Sequence, residues 1–172
     1  SDLGITFDVT KLETETREGK TPIILSDDRS VLAVVYVTDQ IRSEAIETIS
    51  ALHKLNKRVV MLTGDNKNTG NYIAKQVGID EVIAEVMPED KLNIIKDLQS
   101  KGNIVAMVGD GVNDAPALAQ ANVGIAMGTG TDVAIESAGI TLLGGDISKL
   151  VKAVRLSKIT MDGIKQNLFW AF

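Results

Sequence analysis

Apolar and polar positions alternate along the chain in two different rhythms. Thr21–Ser26 and Val31–Val37 are short apolar runs rich in β-branched residues, and Asp27-Asp28-Arg29-Ser30 between them has turn chemistry, so the pair predicts a β-hairpin. The stretch before it, Asp8 to Glu18, is polar and helix-tolerant, and Gly19 is placed to end it. Beyond the hairpin the rhythm changes. Ile46, Ile49 and Leu52 recur at helical spacing within Ser43–Leu55, with Ser43 as the candidate N-cap. A strand over Arg58–Leu62 follows, then a helix over Asn68–Val77 closed by Gly78, a strand in Glu81–Glu85, and a helix opened by Pro88 and running to Leu98 with Ile94, Ile95 and Leu98 on its apolar face. The same alternation continues with strands at Asn103–Val108, Asn122–Met127 and Ile140–Leu143. Short helices at Asn113–Gln120 and Asp132–Ser137 separate them, and a long final helix begins near Asp146.

Strands alternating with helices predict parallel βαβ crossovers. Ile104–Val108 is apolar throughout, as expected of a strand buried on both faces. The fold class is therefore α/β, with an open, doubly wound, mostly parallel sheet of Rossmann type. Ligands of such sheets bind beyond the carboxyl ends of the strands. No internal repeat or low-complexity tract interrupts the pattern.

Composition narrows the chemistry. The 172 residues are 44% hydrophobic and 24% charged, an ordinary globular balance. Cysteine is absent, which excludes disulfides, thiolate metal sites and a cysteine nucleophile. A net charge of −5 and an aromatic content of 3% argue against a nucleic-acid partner. No signal peptide is visible at Ser1-Asp2-Leu3, and no run approaches the ~20 apolar residues of a membrane helix, so the chain as given is expected to be soluble. The abruptly apolar ending, Leu168-Phe169-Trp170-Ala171-Phe172, cuts against a purely soluble reading.

Four polar clusters follow strands or open helices: Thr38–Arg42, Thr63–Asn66, Pro88–Lys91 and Gly109–Asp114. Each alone has a structural explanation, since Asp and Asn cap helices and Gly makes tight turns. Together they place carboxylates, a hydroxyl, backbone amides and a lysine on one expected rim. Asp110 and Asp114 are hard oxygen ligands suited to Mg²⁺. Thr63 and the Gly64 amide can donate to phosphate oxygens, and Lys91 supplies a point charge. That set suits Mg²⁺-dependent phosphoryl transfer, in which the protein positions groups and stabilises charge. Gly109-Asp110-Gly111 is no dinucleotide fingerprint, because Asp114 stands where the last glycine belongs. Gly19-Lys20-Thr21 mimics a P-loop tail but lacks its first glycine. His53, the single histidine, reads as a surface residue.

Met61-Leu62-Thr63-Gly64-Asp65-Asn66 and Met107-Val108-Gly109-Asp110-Gly111-Val112-Asn113-Asp114-Ala115-Pro116-Ala117-Leu118 resemble the phosphorylation-domain and hinge motifs of P-type cation-transporting ATPases, a branch of the haloacid dehalogenase-like superfamily. Val123–Ala134 is similar to the heavy-metal branch, and Ile164–Phe172 to the entry into a membrane helix of copper-transporting members. The resemblance implies residues 1–30 as the tail of a nucleotide-binding domain, 31–145 as the phosphorylation-domain core and 146–172 as a long helix leading toward the membrane. It implies Asp110 as the Mg²⁺ ligand, with Asn113 and Asp114 supporting the metal and phosphate site. Thr63 and Gly64 would bind the phosphoryl group, Asp65 would fix their loop, and Lys91 would neutralise phosphate charge. Asp39 and Arg42 would match the hinge.

The implied cofactors are Mg²⁺ and, in an intact pump, ATP. The implied partners are the remaining pump domains, the membrane helices and a transported heavy-metal ion. An intact pump would sit in the cell membrane, with this part on its cytoplasmic face. The family's phosphorylated Asp-Lys-Thr-Gly-Thr motif does not occur in these 172 residues. Two alternatives stay open: a free-standing Mg²⁺-dependent phosphatase with Asp39 as nucleophile, and a module that binds Mg²⁺ and phosphate without catalysis.

Overall fold

The structure, a computed structural model, describes residues 15–16, 19–27, 30–37, 40–128 and 131–171. The chain forms two compact units. One holds the described residues up to Arg42 together with Arg58–Val86, and the other holds Ser43–Lys57 and the chain from Met87 onward.

The first unit contains the hairpin of β1 (Thr21–Ser26) and β2 (Val31–Val37), antiparallel from Thr21 opposite Val37 to a register shift at Leu25/Ser26. Its turn is held by Asp27, whose carboxylate accepts from the Ser30 amide at 2.7 Å. The unit also contains β3 (Val60–Leu62) and β4 (Glu81–Ile83), parallel and joined by the helix containing Lys67–Val77. Asn66 caps that helix by accepting from the Thr69 amide at 3.0 Å, and Gly78 closes it at φ 82°, where a side chain would be strained.

The second unit begins with α1 (Ser43–Lys54); the Lys67–Val77 helix is α2. Next come α3 (Asp90–Ser100) and β5 (Ala106–Gly109), a 3₁₀ turn at Val112–Asp114 and α4 (Ala115–Gln120). Then follow β6 (Val123–Met127), α5 (Asp132–Glu136), β7 (Ile140–Leu142) and α6 (Ser148–Ala171). Strands β5, β6 and β7 lie side by side in that order, all parallel. The buried residues of this unit include Ile49, Leu52, Ile95, Leu118, Ile125, Ala126, Leu142, Leu150 and Val151. Gly124 is required by space: a Cβ there would stand 2.4 Å from the Leu118 carbonyl oxygen, so α4 rests directly on β6.

The α/β class and its parallel strands agree with the sequence pattern. Three details differ. Ile104 is 84% exposed, because β5 begins only at Ala106, after Asn122 has accepted the Val105 amide at 2.9 Å. Ser43 is the first helical residue of α1 rather than its cap. Pro88 lies in a turn ahead of α3, where the Asp90 amide donates to the Met87 carbonyl at 3.0 Å. The stretch 8–14, and Thr38 and Asp39, lie outside the described residues. Among the described residues, no helix is long and apolar enough to cross a membrane.

Candidate functional site

Strand β5 ends at Gly109, and the next five residues reverse the chain into α4. Asp114 closes this turn and is 6% exposed. Lys91, in the first turn of α3, donates to its Oδ1 at 2.6 Å. The amides of Asp110 and Gly111 donate to its Oδ2 at 3.3 and 3.2 Å. Both carboxylate oxygens are thus engaged, one by a cation and one by the turn itself. Charge-assisted bonds of this kind are about twice as strong as neutral ones. Gly109 has to be glycine, because a Cβ would lie 2.7 Å from the Asp114 Cβ and 2.9 Å from its Oδ2.

Asp110 is held only by its backbone: its amide faces Asp114, and its carbonyl accepts from the Thr131 amide at 3.1 Å. Its carboxylate is exposed and takes no partner among the described residues. Asn113 is exposed on the same turn. The turn therefore presents one unengaged carboxylate on a backbone fixed by a buried one. Among the described residues, no three His, Cys, Asp or Glu side chains gather as a metal cluster. Mg²⁺ does not require one, since it is often held by one or two carboxylates plus waters.

In the other unit, Thr63 follows β3. Its Oγ1 donates to the Asp65 carboxylate at 2.8 Å and accepts from the Asp65 amide at 3.1 Å. The chain just beyond β4 supports this loop. The Glu85 amide donates to the Asp65 carbonyl at 2.9 Å, and the Val86 amide to the Thr63 carbonyl at 3.0 Å. Glu85 adopts φ 59° to do so. Gly64 is exposed at the crest, with only the Val86 carbonyl near the position of an added Cβ, at 3.6 Å. Asp65 fixes the loop by hydrogen bonds, and Gly64 leaves its backbone open.

The structure thus joins Lys91 of α3 to Asp114, sets Asp110 and Asn113 in the same turn as Asp114, and joins Thr63 to Asp65 in another. Gly109, Thr131 and the Glu85–Val86 backbone were not singled out by the sequence. Gly109 stood inside a recognisable motif, but its reason is steric and depends on a side chain five residues away. Glu85 carries no sequence signal for a positive φ.

A haloacid dehalogenase-like hydrolase model matches residues 6–122. The chain belongs to the haloacid dehalogenase-like hydrolases. Two copper-exporting P-type ATPases of Staphylococcus aureus are similar to it: that of strain bovine RF122 / ET3-1 at 54% identity and that of strain JH9 at 53%, each over 98% of this chain. The chain spans 21% of the length of these relatives. Among solved structures, a zinc-transporting PIB-type ATPase in its E2.Pi state superposes with a TM-score of 0.82 at 38% identity, covering 92% of this chain and 26% of that one. The catalytic domain of the CPx-ATPase CopB-B gives 0.60 at 34% identity, over 72% of this chain and 48% of that one. Within this chain the two turns follow the parallel strands β3 and β5.

Proposed function

We propose that this chain is part of the phosphorylation domain of an ATP-driven heavy-metal pump, with copper as the cargo. The Gly109–Asp114 turn carries the reading: it holds out Asp110 while spending Asp114 on Lys91 and two amides. Identity of 54% to copper-exporting relatives, against 38% to the zinc-transporting structure, supports copper. On this reading residues 1–30 end a nucleotide-binding domain, 31–145 form the phosphorylation core, and 146–172 run toward the membrane on its cytoplasmic face.

The donor set fits Mg²⁺, a hard cation that binds through few carboxylates. Asp110 would hold it; when bound, the ion neutralises charge on a transferring phosphoryl group. Asp114 would act through the turn, keeping Asp110 and Gly111 in place and Lys91 oriented. Thr63 and the Gly64 amide would donate to phosphate oxygens, and Asp65 would hold the Thr63 hydroxyl. The nucleophile is an aspartate in the remainder of the pump. Its carboxylate attacks the γ-phosphorus of ATP, the bond to ADP breaks, and water later cleaves the acyl phosphate. The remaining domains and membrane helices couple these steps to metal movement.

The test is calorimetric titration of the chain with Mg²⁺ and with inorganic phosphate. Asp110→Asn should weaken Mg²⁺ binding and Thr63→Ala phosphate binding, each at least tenfold. Variants that titrate like the parent overturn the assignment. Hydrolysis of p-nitrophenyl phosphate that needs Mg²⁺ and vanishes in Asp39→Asn would instead make the chain a self-sufficient phosphatase.

A further inference from the structure

Helix α6 is charged out of proportion to the chain. The protein carries a net −5, yet α6 bears Lys149, Lys152, Arg155, Lys158 and Lys165 against the single acid Asp162. Its middle packs beside the end of α1, and between them lies an open recess of about 410 Å³. Lys54, Lys57 and Lys158 line it together with the apolar Leu55, Val154 and Met161 and the polar Asn56 and Ser157, and no acidic residue is in the lining. None of the three lysines makes an ion pair among the described residues.

Lysines at a helix end often serve its carbonyls. Here the chain does that itself. The Asn56 amide donates to the His53 carbonyl at 2.8 Å, and the Lys57 amide to the Leu52 carbonyl at 3.0 Å, with Asn56 at φ 54° in the left-handed cap position. Three ammonium groups beside a cavity therefore have no structural task that accounts for their gathering.

We infer that this recess binds the phosphate headgroup of an anionic phospholipid. Lysine ammonium groups bind phosphate as mobile point charges. The apolar lining residues suit the glycerol and first methylenes of a lipid, and free phosphate would leave them unmatched. The same helix carries Leu168, Phe169 and Trp170, which are 54%, 75% and 76% exposed. Basic residues backed by exposed apolar and aromatic ones are what an anionic membrane surface attracts. The inference rests on the pump reading only for why a membrane lies near.

The test is co-sedimentation of the chain with vesicles of phosphatidylcholine alone and of equal parts phosphatidylcholine and phosphatidylglycerol. The parent should bind the anionic vesicles preferentially. Replacing Lys54, Lys57 and Lys158 by Gln should weaken that binding about fivefold per lysine, on the order of a hundredfold together. A control triple at exposed positions elsewhere, Lys75→Gln, Lys96→Gln and Lys101→Gln, should bind like the parent. Unfolding temperatures check that both triples fold. Equal loss in the two triples, equal binding to neutral vesicles, or no binding at all overturns the inference. Displacement by inorganic phosphate at matched phosphate concentration would mean a free-phosphate site and overturn the lipid assignment. Titrating the recess triple with Mg²⁺ separates the two proposals: it should bind the ion like the parent, whereas Asp110→Asn should lose the ion and keep the vesicles.

Discussion

The turns after β3 and β5 occupy equivalent places in their own βα units, yet they are held in opposite ways. The Thr63 turn relies on short bonds among groups open to solvent, supported by two backbone amides from beyond β4. The Gly109 turn relies on one buried carboxylate joined to a lysine 23 positions earlier. In the first, functional groups and scaffold are nearly the same atoms. In the second they are separated: Asp114 is scaffold, and Asp110 is left unengaged. A buried charge pair over-determines a backbone, which on the proposed reading suits a metal ligand that must not move. A loop of exposed bonds can yield, which on the same reading suits a phosphate that arrives and leaves.

The strongest way to break this contrast is Asp114→Ala. It strands a Lys91 side chain that is 21% exposed and removes the acceptor of two amides. Loss of one partner of a buried pair should cost about 3 kcal/mol in urea unfolding, the lower end of the usual range because Lys91 keeps some solvent. Asp114→Asn retains an acceptor but not the charge, and should cost about 1–2 kcal/mol. If Asp114→Ala unfolds with the parent's midpoint and slope, the turn is not held by this carboxylate.

A subtler version uses two glycines. Gly109→Ala forces a Cβ against Asp114 without removing a charge, and should destabilise by about 1–3 kcal/mol, as overpacking does. Gly64→Ala meets only an ordinary contact at 3.6 Å and should stay within about 0.5 kcal/mol. Thermal unfolding of the two variants side by side checks the difference. Equal losses would mean that both turns are equally packed.

Much of this was legible in the sequence, for identifiable reasons. The βα alternation, the Gly78 end of α2 and the hairpin at residues 21–37 are local signals, carried by periodicity and capping chemistry. Asp110 and Asp114 read alike there, as two hard ligands in one motif. Their division of labour depends on Lys91, which arrives from another helix, and no spacing rule encodes that pairing. Exposure was equally hidden. Ile23, Ile24 and Leu25 are all exposed, as are Leu32, Val35 and Val37, although these runs look like any buried strands. Hydrophobicity along a strand says which faces are apolar, not whether other chain covers them.

Thr63→Ala sharpens the comparison at lower energy. It removes both bonds to Asp65, but in an exposed loop that water can satisfy, so stability should fall by no more than about 1 kcal/mol. Phosphate binding should fall far more. A large stability loss measured by urea unfolding would show the hydroxyl to be scaffold, as Asp114 is.

The smallest effect is expected where a half-buried carboxylate holds a turn without any fully buried partner. Asp146, ahead of α6, accepts from the Ser148 amide at 2.9 Å. Hydrogen bonding from Ser148, with help from Lys149 and Lys152, holds its carboxyl below the ordinary 3.8. A pKa lowered in the folded state means that the charged form is favoured by folding. Its contribution is therefore complete above pH 3.8 and is lost as pH falls through the lowered folded value. Asp146→Asn should unfold slightly earlier than the parent near neutral pH, with the gap narrowing in acid below pH 3.8 and closing as pH falls through the lowered folded value. A gap that stays constant down to the most acid pH would show that the charge is irrelevant and that the turn needs only an oxygen.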